Sequence, residues 1–230
     1  MRVVTIDGPA GAGKSTVARR LAGRLGWAFL DTGAMYRAVT LAALRAGVDL
    51  EDGDGVGAVA ERIEVLLPQG RVLLDGDDVT DTIRAADVTQ GVRYVADSPR
   101  VRTRLVALQR ANAAHADLVT EGRDQGTVVF PDALCKFFLT ASPEVRAERR
   151  AAELAERGQT VDLAALIVDQ TERDARDEAR AIAPLRPASD AIVLDTTGLT
   201  LDDVLDRVEK AVLGRLEDPA LASTARESDT

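Results

Sequence analysis

The sequence predicts a doubly wound α/β fold with five parallel strands and an inserted antiparallel patch. Three observations predict it. A buried apolar run at Val3–Ile6 leads through a glycine-rich loop into an amphipathic stretch. Short apolar runs and helical stretches then alternate over most of the chain, as βα units do. Between them, residues 63–79 carry short apolar runs separated by Pro68-Gln-Gly70 and Gly76-Asp-Asp78, which is hairpin punctuation rather than crossover spacing.

The first loop is the most informative. Gly8-Pro9-Ala10-Gly11-Ala12-Gly13-Lys14-Ser15-Thr16 has the G-x-x-x-x-G-K-[ST] pattern, with a strand before it and a helix, Val17–Leu25, after it. Gly8, Gly11 and Gly13 let backbone N–H groups converge on an anion, and the helix N-terminus adds its dipole. Lys14 supplies a mobile charge for outer phosphates and Ser15 a hydroxyl for Mg²⁺. The pattern points to bound ATP or a similar triphosphate. A dinucleotide-binding turn fits worse, despite Asp31 downstream, because the third glycine position after Gly11-Ala-Gly13 is Thr16.

The remaining elements follow in order. Ala28–Leu30 reads as the second strand and 34–46 as a helix with Met35, Val39, Ala42 and Ala43 on one face. Glu51–Gly57 reads as an acidic, glycine-rich connector before a short helix at 58–62. After the hairpin of 63–67 and 72–74, Val79 is expected to start a third short strand. Residues 85–94 read as a helix. Ser98 or Asp97 caps the next, which has Pro99 in its first turn and runs to about Ala114. Leu118–Thr120, Lys136–Leu139 and Ala191–Leu194 complete the strands. Helices are expected from Ser142 to about Arg157, from Asp162 to Arg180 and over 201–216. A single domain over 1–216 results, with 63–114 as the insertion and 149–161 as a mobile lid. The acidic tail, 217–230, is expected to be disordered.

Composition excludes several classes. There are 38 acidic and 29 basic residues in 230, a net charge of −9, so a general nucleic-acid surface is not expected. The basic residues are 26 Arg and 3 Lys, a bias that genomic composition also produces. Cys135 is the one cysteine and His115 the one histidine, so no internal disulfide, no Cys/His metal centre and no usual His base are available. Cys135 reads as core filler and His115 as a helix-end residue. No apolar run reaches membrane-span length and no leader precedes the first strand, so a cytoplasmic monomer with no membrane partner is expected.

Ligands of such sheets sit at the carboxyl ends of the strands. Three loops should meet there: the P-loop, Asp31-Thr32-Gly33, and Gly122-Arg123-Asp124-Gln125-Gly126. Arg123 is expected to bind a ligand, and Asp124 either to do so or to pair with its neighbour. The run 172–180 is double-edged. Arg173, Arg176, Asp177 and Arg180 share one helical face, which suits a solvated ion-paired stripe as well as an arginine cluster over phosphates. A phosphoryl-transfer site, with Lys14 its one nearby lysine, favours the cluster.

An ordered series of motifs resembles the bacterial cytidylate kinases from Val3 to about Leu216. It comprises Ile6-Asp7-Gly8-Pro9, Leu30-Asp31-Thr32-Gly33-Ala34-Met35-Tyr36-Arg37, Gly76-Asp77-Asp78-Val79 with Ile83-Arg84, and Pro99-Arg100-Val101-Arg102. Residues 121–133, Arg173-Asp174-Ala175-Arg176-Asp177, 181–185 and Asp190-Ala191 complete it. The resemblance implies transfer of the γ-phosphoryl of ATP to CMP or dCMP with Mg²⁺. It places Thr32 near the acceptor nucleotide, with Arg84 among its contacts, and Arg37, Arg123, Arg173 and Arg180 around the acceptor phosphate. It places Asp177 on the sugar and Arg102 and Asp124 on the cytosine. It makes 149–158 the lid, with Arg149 on the ATP side. Arg93 stands where the family pattern has a small serine-like residue, and Glu178-Ala179 also departs from it. Another small-molecule kinase, a regulatory GTPase or a non-catalytic nucleotide binder is the alternative. The first would lack the insertion with Arg84 and Arg102, and the second needs an N-K-x-D segment that the chain does not contain.

Overall fold

The structure is a computed structural model that describes residues 1–156 and 158–218, the side chain of Gln69 excepted. Arg157 of the expected lid, and the expected disorder of the tail over 219–230, lie outside the described residues. The chain divides into two compact units, residues 1–28 with 117–230, and residues 29–116.

The first unit is built on a parallel sheet. β1 (Val3–Asp7) is central and wholly buried. It pairs in parallel with β6 (Leu118–Gly122) on one side and β7 (Cys135–Thr140) on the other, and β7 pairs with β8 (Ile192–Asp195). The full order is β2-β6-β1-β7-β8, with β2 (Ala28–Asp31) entered at Ala28, whose N–H donates to the Asp117 carbonyl at 2.9 Å. Later strands add on both sides of β1, so the connections reverse there, the topology that opens a crevice at the strand ends. The five expected parallel strands are present.

Among the described residues four helices belong to this unit: α1 (Lys14–Leu25), α6 (Pro143–Ala155), α7 (Leu163–Ala179) and α8 (Leu201–Leu216). Helix α1 starts three residues earlier than Val17, because Gly13 itself is the N-cap. Helix α8 begins on a reciprocal Thr200–Asp203 capping box. α1 packs on α8 and α6 on α7, and the core includes Val4, Ile6, Leu21, Phe137, Leu139, Leu205 and Val208.

The second unit contains α2 (Thr32–Arg45), α3 (Gly53–Arg62), α4 (Ala86–Asp97) and α5 (Pro99–Ala113), with a three-stranded antiparallel sheet, β3 (Val65–Leu66), β4 (Leu73–Leu74) and β5 (Asp77–Asp78). Two expectations need correction. Residues 53–57 are helical, not a connector: Asp52 caps α3 by accepting from the Gly55 N–H at 3.0 Å. Packing outweighs the poor helix propensity of the glycines here, since a Cβ on Gly57 would lie 2.4 Å from Arg100 Cδ. The third strand is Asp77–Asp78 and does not start at Val79, because Asp75 and Gly76 both have positive φ and form a tight two-residue turn. Val79 is buried just beyond it.

Candidate active site

β1 and β6 end level, with Asp7 paired opposite Gly122, so the loops after them leave the sheet side by side. Gly8, Gly11 and Gly13 all adopt positive φ, as the P-loop pattern requires. Lys14 opens α1 and is buried, its Nζ donating to the Pro9 carbonyl at 2.7 Å. Burial, followed by the Arg123 charge, pushes its pKa down to about 7, and Arg173 acts in the same direction. Lys14 therefore lies within electrostatic reach of two of the arginines expected at the site.

Ser15 Oγ donates to Glu121 Oε1 at 2.9 Å. Mg²⁺ takes hard oxygens and is held at kinase sites by one or two protein groups together with substrate phosphates. The Ser15 hydroxyl and Glu121 carboxylate fit that role. Among the described residues no group of three or more His, Cys, Asp or Glu side chains could hold an ion without such help.

The loop after β6 becomes a single π-helical turn over Gln125–Val129, where the sequence suggested only a loop. Asp7 fastens this turn. Its two carboxylate oxygens accept from the Gln125 N–H at 2.9 Å and the Gly126 N–H at 2.7 Å. Gly126 is needed there, since a Cβ would come 2.9 Å from Thr5 Oγ1. Burial pushes the Asp7 pKa up to about 6 against the pull of those two donors.

Arg123 Nε donates to Asp177 Oδ2 at 3.0 Å, and Arg180 Nη2 contacts Asp177 Oδ1 at 2.8 Å. Asp177 is thus buried between two cations, and Arg123 pairs with it across the fold. Asp124 is buried. The 172–180 run divides. Arg173 and Arg180 are half-buried on the Asp177 side, whereas Arg176 is exposed and donates to the Glu172 carbonyl at 3.1 Å, contrary to the expected shared face. The 100° step per residue explains this: Arg176 lies about 300° round from Arg173, on the edge of the stripe that meets solvent. Arg149 donates to Thr196 Oγ1 at 2.9 Å and to the Thr196 carbonyl at 2.8 Å, and its Nη1 lies 3.9 Å from where a Gly13 Cβ would stand.

The other expected contacts belong to the second unit. Thr32 is buried in the first turn of α2, where the Asp31 side chain caps the Ala34 N–H at 2.9 Å. Arg37 is half-buried on α2, Arg84 exposed in a 3-10 turn, and Arg102 buried on α5. Arg93 stacks on the ring of Tyr94, 4.5 Å from its centroid, and donates to the Tyr94 hydroxyl at 2.6 Å. His115 lies in the exposed turn after α5. Cys135 is buried and its thiol pKa is raised by burial, as core filler requires.

A family model for cytidylate kinases matches residues 4–213. The chain belongs to the cytidylate kinase family. It is 49% identical to a cytidylate kinase of Rhodopirellula baltica over 91% of this chain and 92% of that protein. It is 51% identical to a cytidylate kinase of Pelotomaculum thermopropionicum over 93% of this chain and 97% of that protein. Among solved structures, an uncharacterised protein of Eubacterium ventriosum shares the fold, with a TM-score of 0.51 at 14% identity over 92% of this chain and 98% of that one. Glu121, Gly126 and Asp177 all lie within the span that the family model matches. Among the described residues no helix is long and apolar enough to cross a membrane.

Sequence reasoning missed two residues of this centre: Glu121 stood only within a motif and Asp7 received no role. Asp7 directly precedes the phosphate loop, but its partners Gln125 and Gly126 lie 118 and 119 residues away.

Proposed function

We propose that the chain uses this centre to transfer the γ-phosphoryl of ATP to CMP and dCMP, giving ADP and CDP or dCDP. The observation that carries the reading is Lys14, buried in a phosphate loop and within electrostatic reach of Arg123 and Arg173, in a chain of the cytidylate kinase family. An acceptor phosphate oxygen attacks the γ-phosphorus in line as the bond to the ADP oxygen breaks. The acceptor is already ionised, so no strong base is needed and catalysis is alignment plus charge stabilisation.

Each side chain has a part in that scheme. The Gly8–Thr16 loop cradles the ATP phosphates and Lys14 neutralises the developing charge on the outer ones. Arg123, Arg173 and Arg180 bind the transferring and acceptor phosphates, and Asp177 holds Arg123, Arg180 and the sugar. Arg149 covers the ATP side. Ser15 and Glu121 would hold Mg²⁺, which would screen the phosphate charge when bound. Thr32, Arg37 and Arg84 bind the acceptor nucleotide, Arg37 at its phosphate, and Arg102 and Asp124 select cytosine: an arginine donor suits its N3 and a carboxylate suits its amine. The segment 149–161 acts as a lid and 63–114 as the monophosphate-binding insertion of one kinase domain. The protein works as a monomer.

The test is ADP formation from ATP and Mg²⁺ with and without CMP, the product identified as CDP. CMP-dependent turnover is expected. Equal ADP formation without CMP, or transfer to shikimate-like alcohols instead, contradicts the reading.

A further inference from the structure

Beneath the phosphate loop lies a closed ring of polar contacts that none of the roles above uses. The Ala10 N–H donates to Asp174 Oδ1 at 3.1 Å. The Ala10 carbonyl accepts from Arg146 Nη1 at 3.0 Å. Arg146 Nη1 and Asp174 Oδ2 form an ion pair with each other. Arg146 Nε also donates to the Ala141 carbonyl, just past β7, at 3.1 Å. Both residues are buried, each at 6% exposure, so the pair is not a solvated surface contact.

The ring joins three pieces of the site. Arg146 lies in the first turns of α6, the helix that leads into the expected lid. Ala10 is mid-loop. Asp174 is on α7, next to Arg173 and three residues before Asp177. Helix α7 is therefore fastened twice within one turn, at Asp174 to the phosphate loop and at Asp177 to Arg123 after β6. Such spacing fixes both the rotation and the height of α7 against the loop.

We propose that the Arg146–Asp174 pair is a positioning device: it grips both backbone groups of Ala10 and so sets the phosphate loop in register with the arginines of α7. The proposal rests on the phosphoryl-transfer reading above. Stability alone does not explain the pair, because a buried ion pair is commonly no more stabilising than apolar groups of similar volume. Registration does, because a misplacement of about 1 Å costs roughly 100-fold in rate. Arginine suits this position because its planar fork reaches Ala10, Ala141 and Asp174 together, which a single ammonium does not.

The experiment compares Arg146→Lys and the double variant Arg146→Met/Asp174→Leu with the parent. For each, kcat per folded enzyme, KM for CMP and ATP, and the melting midpoint are measured. The double variant is expected to keep its melting midpoint within a few degrees and KM for CMP within threefold, while kcat falls about 100-fold. Arg146→Lys should lose about 10-fold in kcat with the same KM. A pair that only stabilises the fold gives the opposite pattern, with kcat per folded enzyme within threefold of the parent in both variants, and that result overturns the proposal. If the double variant does not fold, Arg146→Lys, which keeps the buried charge, decides by the same kcat criterion. A parent without CMP-dependent ADP formation removes the functional reading and this proposal together. An active parent with unaffected variants removes only this proposal.

Discussion

The two compact units handle charge differently. In the unit of residues 1–28 and 117–230, several cations of the site are tied to or lie near carboxylates. Arg123 and Arg180 share Asp177, Arg146 grips Asp174, and Lys14 feels Glu121 and Asp7. In the unit of residues 29–116, the arginines expected to meet CMP stand on separate elements and range from buried Arg102 to exposed Arg84. The first arrangement is preset, in the sense that its dipoles and charges need little reorganisation when phosphates arrive. The second divides recognition among single contacts. Mutations in the first unit should therefore spread through partners, and mutations in the second should stay local.

The largest effect is expected from Lys14→Ala, which should lower kcat by about 10²–10³-fold with the fold retained, because a donor aimed at developing charge is lost. Turnover near the parent value would break the comparison at its strongest point. Asp177→Ala comes next. It leaves Arg123 and Arg180 without their shared carboxylate and should cost about 3 kcal/mol of stability, the low end for breaking a buried pair because both arginines keep some exposure. Denaturant unfolding measures it. A loss confined to kcat would show that the charges act separately.

Asp7 sharpens the comparison through pH. Its folded pKa of about 6 lies above the unfolded value of 3.8. Between those values the unfolded chain releases this proton and the folded one keeps it. The contribution is thus full below pH 4 and is lost as pH rises to about 6, by roughly 3 kcal/mol. Urea unfolding from pH 4 to 7 should show that decline in the parent and a flatter difference curve in Asp7→Asn. Identical pH dependence in the two proteins would remove Asp7 as a buried titrating group.

In the second unit the effects should be smaller and single. Arg102→Ala should reduce kcat/KM for CMP by about 10- to 100-fold, the equivalent of one unpaired buried group, with melting less affected than in Asp177→Ala. Arg93→Ser should change the CMP-to-UMP ratio less than about threefold, since Arg93 is exposed and occupied by the Tyr94 ring and hydroxyl. A tenfold change there would make Arg93 a base-reading residue.

What was legible in the sequence follows the same division. The phosphate loop, the parallel strands and helix α8 could be read because their determinants lie within a few residues: the glycine spacing and the apolar runs. Arg123 stood out between two glycines, and Asp177 through its spacing from Arg173. The ring at Ala10 did not show, because its partners lie 136 and 164 residues away and no local pattern joins them. The Asp7 bonds to Gln125 and Gly126 were hidden for the same reason. The first half of α3, residues 53–57, was missed because a capping aspartate and the Arg100 stem outweigh three glycines. Arg176 was grouped with its neighbours because a period of three or four residues fixes a face only to within a sector.

The central claim is that these charges serve phosphoryl transfer to a cytosine monophosphate, and an acceptor panel tests it most directly. All ribo- and deoxyribonucleoside monophosphates are compared at fixed ATP and Mg²⁺ by kcat/KM. The account predicts CMP and dCMP first, UMP lower by about 10-fold or more for each mispaired buried group, and AMP and GMP poorer still. Equal values for CMP and UMP, or a purine preference, would contradict it.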